Sequence, residues 1–135
     1  TAYEIASCLV GSEMCIRDRR CIRSSLMANT FKNEVFNGSN TTASTDMSVY
    51  TVPSSTTTVV IGLVLANITS SQITASIKLS AGTTVFLAKD IPIPSGSSFE
   101  YMGGNKIVME AGDSLIVQAS AANSLDTVAS IMEIT

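Results

Sequence analysis

From Met27 onward the sequence predicts an all-β fold, an antiparallel β-sandwich of about eight short strands with jelly-roll or immunoglobulin-like connections. Three observations carry this expectation. Apolar, β-branched runs recur with Gly, Pro, Asn and Ser between them, at the spacing of strands and tight turns. No segment sustains the apolar period of an amphipathic helix. Only 14% of the chain is charged against 45% hydrophobic, and Ser, Thr, Asn and Gly fill the balance, whereas surface helices carry many more Glu, Lys and Arg.

The elements follow in order. Phe31–Phe36 is a plausible opening strand before the polar stretch Asn37–Asp46, and Met47–Val52 is the second, stopped by Pro53. Thr57–Ala66 (TTVVIGLVLA) is the strongest apolar run; its β-branched content and polar flanks favour a buried strand. Gln72–Ser80 alternates, with Ile73, Ala75, Ile77 and Leu79 on one side and Thr74, Ser76, Lys78 and Ser80 on the other, the period of a half-buried strand. The turn Ser80-Ala-Gly-Thr leads into Thr84–Lys89, which predicts a hairpin. Ile91–Ser97 holds two prolines that cannot donate to a ladder, so it reads as a crossing loop with Ile91 and Ile93 tucked under the core. Ser98–Met102 and Lys106–Glu110 flank Gly103-Gly104 as a further hairpin-like pair, and Ser114–Ser120 and Thr127–Ile134 close the sandwich. The expected core is Val60, Leu63, Leu65, Ile73, Ile77, Leu79, Phe86, Ile107, Leu115, Val117 and Ile131.

A chain of 135 residues suits one domain, yet its composition breaks at Met27. Residues 1–26 hold all three cysteines (Cys8, Cys15, Cys21) and all four arginines (Arg17, Arg19, Arg20, Arg23). Residues 27–135 have four lysines against eight acids, and no Cys, Arg or His. The first stretch does not read as a secretory signal, because its basic cluster follows the apolar Ile5–Val10 instead of preceding it. It is too short in apolar residues to span a membrane. The cysteine spacing fits no zinc pattern. The string from Tyr3 to Arg19 (YEIASCLVGSEMCIRDR) resembles the translated read-through of a sequencing adapter. On that resemblance residues 1–26 are a non-native or disordered extension without a packed place in the fold. The single domain is then 27–135, starting at Met27.

Residues 27–135 supply little chemistry. Without His, Cys or Arg there is no usual general base, thiol nucleophile or oxyanion clamp, and the Ser and Thr hydroxyls have nothing to activate them. We therefore expect no catalytic, cofactor-binding or metal-ligating residue, and no enzyme. Asp90, Asp113 and Asp126 read as turn residues. Gly103-Gly104 and Gly112 lack the following helix that a phosphate cradle needs. Asn37, Asn40 and Asn67 form Asn-x-Ser/Thr sequons, attributed to a Ser/Thr/Asn-rich composition. The mild net charge of −3 argues against a nucleic-acid surface. Phe99 and Tyr101 share a strand parity and would form a small exposed patch, the basis of a second reading as a module for cell-surface glycans.

The body of the chain resembles small virion structural proteins of tailed bacteriophages, particularly those of marine bacteria such as cyanobacteria. The resemblance rests on Met27-Ala-Asn-Thr-Phe-Lys-Asn, the run from Tyr50 to Leu63, Leu87-Ala-Lys-Asp-Ile-Pro-Ile-Pro-Ser-Gly-Ser-Ser, Gly104-Asn-Lys-Ile-Val-Met-Glu-Ala-Gly-Asp-Ser-Leu, and the tail from Val128 to Ile134. It implies a tail or neck component or a capsid decoration, partnered by other virion proteins and by copies of itself, with no nucleic acid or membrane partner. It carries over no catalytic residue. Thr57–Ala66 and Val128–Ile134 are apolar at both parities, whereas a strand of an isolated sandwich keeps one wet face. Either the crossing loop and the first strand cover the surplus, or a partner subunit does. The exposure of Val59, Ile61, Ala129 and Ile131 separates the two.

Overall fold

The computed structural model describes residues 28–135, and the expectations for residues 1–26 lie outside that range. Among the described residues nine strands form two antiparallel sheets: β1 (Asn29–Phe36), β2 (Met47–Thr51), β3 (Thr57–Asn67), β4 (Ile73–Ala81), β5 (Thr83–Ile93), β6 (Ser98–Glu100), β7 (Ile107–Met109), β8 (Ser114–Ala119) and β9 (Leu125–Ile134). Among the described residues the only helical piece is the 3-10 turn Gly38–Asn40. The first sheet runs β1-β9-β3-β6, with β7 also on β3; the second runs β2-β8-β4-β5. Most connections cross from one sheet to the other, and the last strand lies between the first and third. This is the jelly-roll order, not the immunoglobulin one.

The core lies between the sheets. Val60, Leu63, Leu65, Ile73, Ile77, Leu115, Val117 and Ile131 are buried as expected, with Leu79 and Ile107 half-buried against them. Phe86 is a correction: it is 52% exposed. Register shifts between Ala75 and Ile77 and between Ile77 and Lys78 bring Phe86 opposite Lys78, whose side chain leaves the outer face of the second sheet. There Lys78 is buried, paired with Asp46, and its ammonium lies 4.9 Å from the Phe86 ring. A lysine expected to be solvated is thus covered by the aromatic expected to be core.

Three further readings change. β5 continues through Pro92 to Ile93 instead of yielding to a loop. It is an edge strand with β4 as its single neighbour, so a proline can sit there without costing a ladder bond; Ile93 is buried all the same. β6 and β7 do not pair with each other. β6 lies on Val64–Ala66 and β7 on Thr58–Val60, so they are two pieces of one interrupted edge, and Tyr101 N donates to Leu63 O at 2.9 Å between them. Gly103 and Gly104 form the excursion that interrupts it, Gly104 at φ 121°, a conformation that favours glycine. Finally, the β3–β9 register shifts between Val60 and Gly62. Ile61 is the extra residue, and the buried set changes parity there, from Thr58 and Val60 to Leu63, Leu65 and Asn67.

Candidate interaction surface

The bulge in β3 decides what the first sheet presents to solvent. In the antiparallel ladders Phe31 stands opposite Met132, Met132 opposite Val59, and Val59 opposite Val108. Residues directly opposite each other share a face, so these four form one apolar row across β1, β9, β3 and β7. Two residues along, Asn33, Ser130 and Gly62 form a low polar row, in which Ser130 Oγ donates to Asn33 Oδ1 at 3.1 Å. Two residues further, Val35, Val128 and Val64 form a second apolar row, ending at Glu100 on β6. These rows lie on the outer face, since the alternate residues of β9 (Leu125, Thr127, Ala129, Ile131) are buried.

The outer rows are open. Val35 is 73% exposed, Phe31 71%, Val108 61% and Val128 39%; Val59, Ile61, Val64, Met132 and Ile134 are half-buried. Of the four residues chosen to separate covered from uncovered, Ala129 and Ile131 are buried and Val59 and Ile61 are not. The segment expected to cover them, Ile91–Ser97, belongs with the other sheet. β1 does not cover the face either: it extends it, adding Phe31 and Val35. The charged residues of this face, Asp126 and Glu100, sit toward one end. Asp126 lies in β9, not in a turn, and its carboxylate accepts from Gly38 N.

A polar clamp, buried at Glu133 and Tyr50 and open to solvent at Lys32, holds β1 in place from the inner side. Lys32 Nζ lies 2.6 Å from Glu133 Oε2; Tyr50 Oη donates to Glu133 Oε1 at 2.8 Å and lies 2.9 Å from Thr58 Oγ1. β1 and β2 therefore meet at the Glu133 carboxylate of β9, and β3 joins them through Tyr50. The bonds from Lys32 and then Tyr50 hold the Glu133 carboxyl below its ordinary value. Burial, together with the nearby Glu133 carboxylate, pushes the Tyr50 phenol up to about 12.

The remaining candidates do not converge. Phe99 and Tyr101 are half-buried against the core, Phe99 beside the buried Leu65, and Tyr101 Oη donates to Leu87 O at 2.9 Å. They make no exposed stacking platform. Asp113 does turn work, its Oδ2 accepting from Glu110 N at 2.9 Å. Asp90 borders a shallow depression with Ser44, Thr74, Ser76, Gln118 and Ser120, and its N donates to Ser76 Oγ at 3.0 Å. Among the described residues no three acids, cysteines or histidines gather as a metal site, and no helix is long and apolar enough to cross a membrane. Asn67 is buried, not an accessible sequon: its Nδ2 lies 2.7 Å from Ser71 O, 3.0 Å from Ile93 O and 3.1 Å from Pro94 O.

No protein-family model matches the chain, and no curated protein sequence matches it. Some solved structures are similar in part. A chain from Bacillus endospore appendages, described as disulfide-linked pili, is similar over 81% of this chain and 88% of its own, at 15% identity and a TM-score of 0.47. The capsid of Helicobacter pylori bacteriophage KHP30 gives 82% and 90% coverage, 11% identity and a TM-score of 0.48. A pentameric capsid protein isolated from metagenomic phage sequences gives 82% and 64%, with 16% identity and a TM-score of 0.34. Phage capsid proteins are thus among the structural neighbours. At such identities and scores the likeness carries no argument, and function rests on this chain's own surface.

Proposed function

We propose that this protein is a structural subunit of a phage virion, a tail or neck component or a capsid decoration, which works by self-association and docking on the particle and catalyses no reaction. One observation carries the reading: the outer face of the first sheet is apolar across four strands and open to solvent at Phe31, Val35, Val108 and Val128. Apolar patches of this breadth on a soluble domain mark surfaces that meet another protein. The residue inventory supports it, since residues 27–135 offer no His, Cys or Arg for chemistry. So does the resemblance of Met27–Thr135 to small virion proteins. Its partners are then copies of itself and other virion proteins, assembled in the cytoplasm of a bacterial host.

Two measurements test this. Sequencing the DNA that flanks the gene should find capsid, portal or tail genes beside it; a neighbourhood of metabolic genes on both sides would overturn the virion assignment. Negative-stain microscopy of the concentrated full chain should show repeating assemblies. The glycan reading has no comparable support, because its two aromatics face inward.

A further inference from the structure

We infer that the outer face of the β1-β9-β3-β6 sheet is a homotypic contact, which packs on the same face of a second copy of this chain, sheet against sheet. The inference rests on the subunit reading above and names the partner of that surface.

Three features select a second copy. The first is charge. Between the ends of the face no formal charge interrupts the rows, and Glu100 falls at the β6 edge, in reach of water. Each chain carries a net charge of −3, so most surfaces of two copies repel, which favours contact through a face whose charges, Asp126 and Glu100, sit only toward one end. A partner recognised by charge would find nothing here to pair with.

The second is relief. Two apolar rows flank the low row Asn33–Ser130–Gly62, beside which a depression is lined by Phe31, Lys32, Asn33, Ile61, Ser130 and Ile131. Ser130 Oγ donates to Asn33 Oδ1, and the Asn33 Nδ2 donors are left to find an acceptor on the second copy. A surface of ridges on both sides of a trough can meet its own copy ridge to ridge about a two-fold axis, and isologous contacts of this kind are the commonest in homo-oligomers. Sheets that stack this way keep their strands within about 30° of each other.

The third is size. Four strands span the face; at about 4.8 Å between strands and about 3.3 Å per residue over nine residues, the footprint is roughly 550 Å² per copy. A pair then covers roughly 1,100 Å², just above the threshold of about 1,000 Å² for a specific interface. A contact of this size is reversible when isolated and firm when repeated in an assembly.

Sedimentation velocity on the full chain, from micromolar to near-millimolar concentration, tests this with Val35→Glu and Val128→Glu beside the unaltered protein. Both positions are exposed, so the folded monomer should tolerate them, and circular dichroism melts verify that. The unaltered chain should shift from monomer to dimer or beyond, and each variant should weaken that by roughly tenfold or more, because a carboxylate is buried without a partner. Gly62→Glu is the second approach: a Cβ there meets only Ser130 Cβ, at 3.9 Å, so the substitution fills the trough without crowding the monomer. Small-angle scattering should give a stacked particle, not one lengthened along the sheets as pairing at an open edge strand would give. If the unaltered chain associates and all three folded variants associate equally well, the face is not the contact, while the subunit reading stands. A chain that stays monomeric throughout overturns the homotypic contact. If its gene also lacks virion neighbours, the subunit reading falls with it.

Discussion

At the scale of single residues, two buried polar side chains hold together parts of the fold that hydrophobic burial leaves separate. Asn67 gathers three carbonyls, from the loop after β3 and from the end of β5 and the loop beyond it, and its Oδ1 accepts from Thr69 N at 2.9 Å. Removing it takes the amide donor from all three, while Thr69 Oγ1 still donates to Ser71 O and Ser97 N to Pro94 O, so Asn67→Ala should cost about 1–3 kcal/mol in urea unfolding. Asn67→Asp should fold no better, because a carboxylate would face the carbonyl oxygens. Glu133 gives the chain an acid-sensitive point. Its carboxyl is held below the ordinary value of 4.5, first by Lys32 and then by Tyr50. The folded state therefore binds the proton less readily than the unfolded one. The resulting stability is complete above the unfolded value and is lost as pH falls through the folded one. Melting temperatures from pH 7 down to pH 2 should show the unaltered chain ahead of Glu133→Gln at neutral pH, with the gap closing in acid. A constant gap would mean that Glu133 acts by shape alone.

At the scale of elements, the ladders explain which parts of the sequence could be read and which could not. Strands were legible wherever β-branched runs met turn residues, as at β3, β8 and β9. The Ser80–Thr84 turn gave the β4–β5 hairpin because Gly82, at φ 73°, marks a position that other residues avoid. Bulges were not legible, since nothing in TTVVIGLVLA says that Ile61 is the extra residue. The parity of everything downstream depends on it. Phe86 was misplaced for the same reason, through the shifts in β4. The Gly-Gly at 103–104 looked like a hairpin because an interrupted edge strand and a hairpin need the same residues. The open face was legible as an excess of apolar residues at both parities, but the contribution of Phe31 and Val35 depended on β1 joining the edge beside β9, a long-range pairing. These assignments separate in mutants. Leu115→Ala should cost about 2–5 kcal/mol as a core truncation, Lys78→Ala about 1 kcal/mol for its lost packing and pairing, and Phe86→Ala no more than that. Equal losses for Leu115→Ala and Phe86→Ala in thermal melts would place Phe86 back in the core.

At the scale of the whole molecule, the protein sets a weakly acidic surface against one largely apolar face, and the balance predicts how association responds to salt. The net charge of −3 per chain opposes the approach of two copies over the distance of a Debye length, about 10 Å at 0.1 M ionic strength. The contact itself contains no ion pairs to screen. Added sodium chloride should therefore remove repulsion without weakening attraction, and dimerisation followed by sedimentation should strengthen from low to moderate salt. Sulfate should strengthen it further, because excluded salts favour apolar burial. An assembly built on charge pairs, for example through Lys89 or Lys106 to acids of a neighbour, would respond in the opposite direction and loosen as salt is added. A salt series on the unaltered chain thus separates the two kinds of contact without any mutation, and weaker association at higher sodium chloride would count against the apolar face.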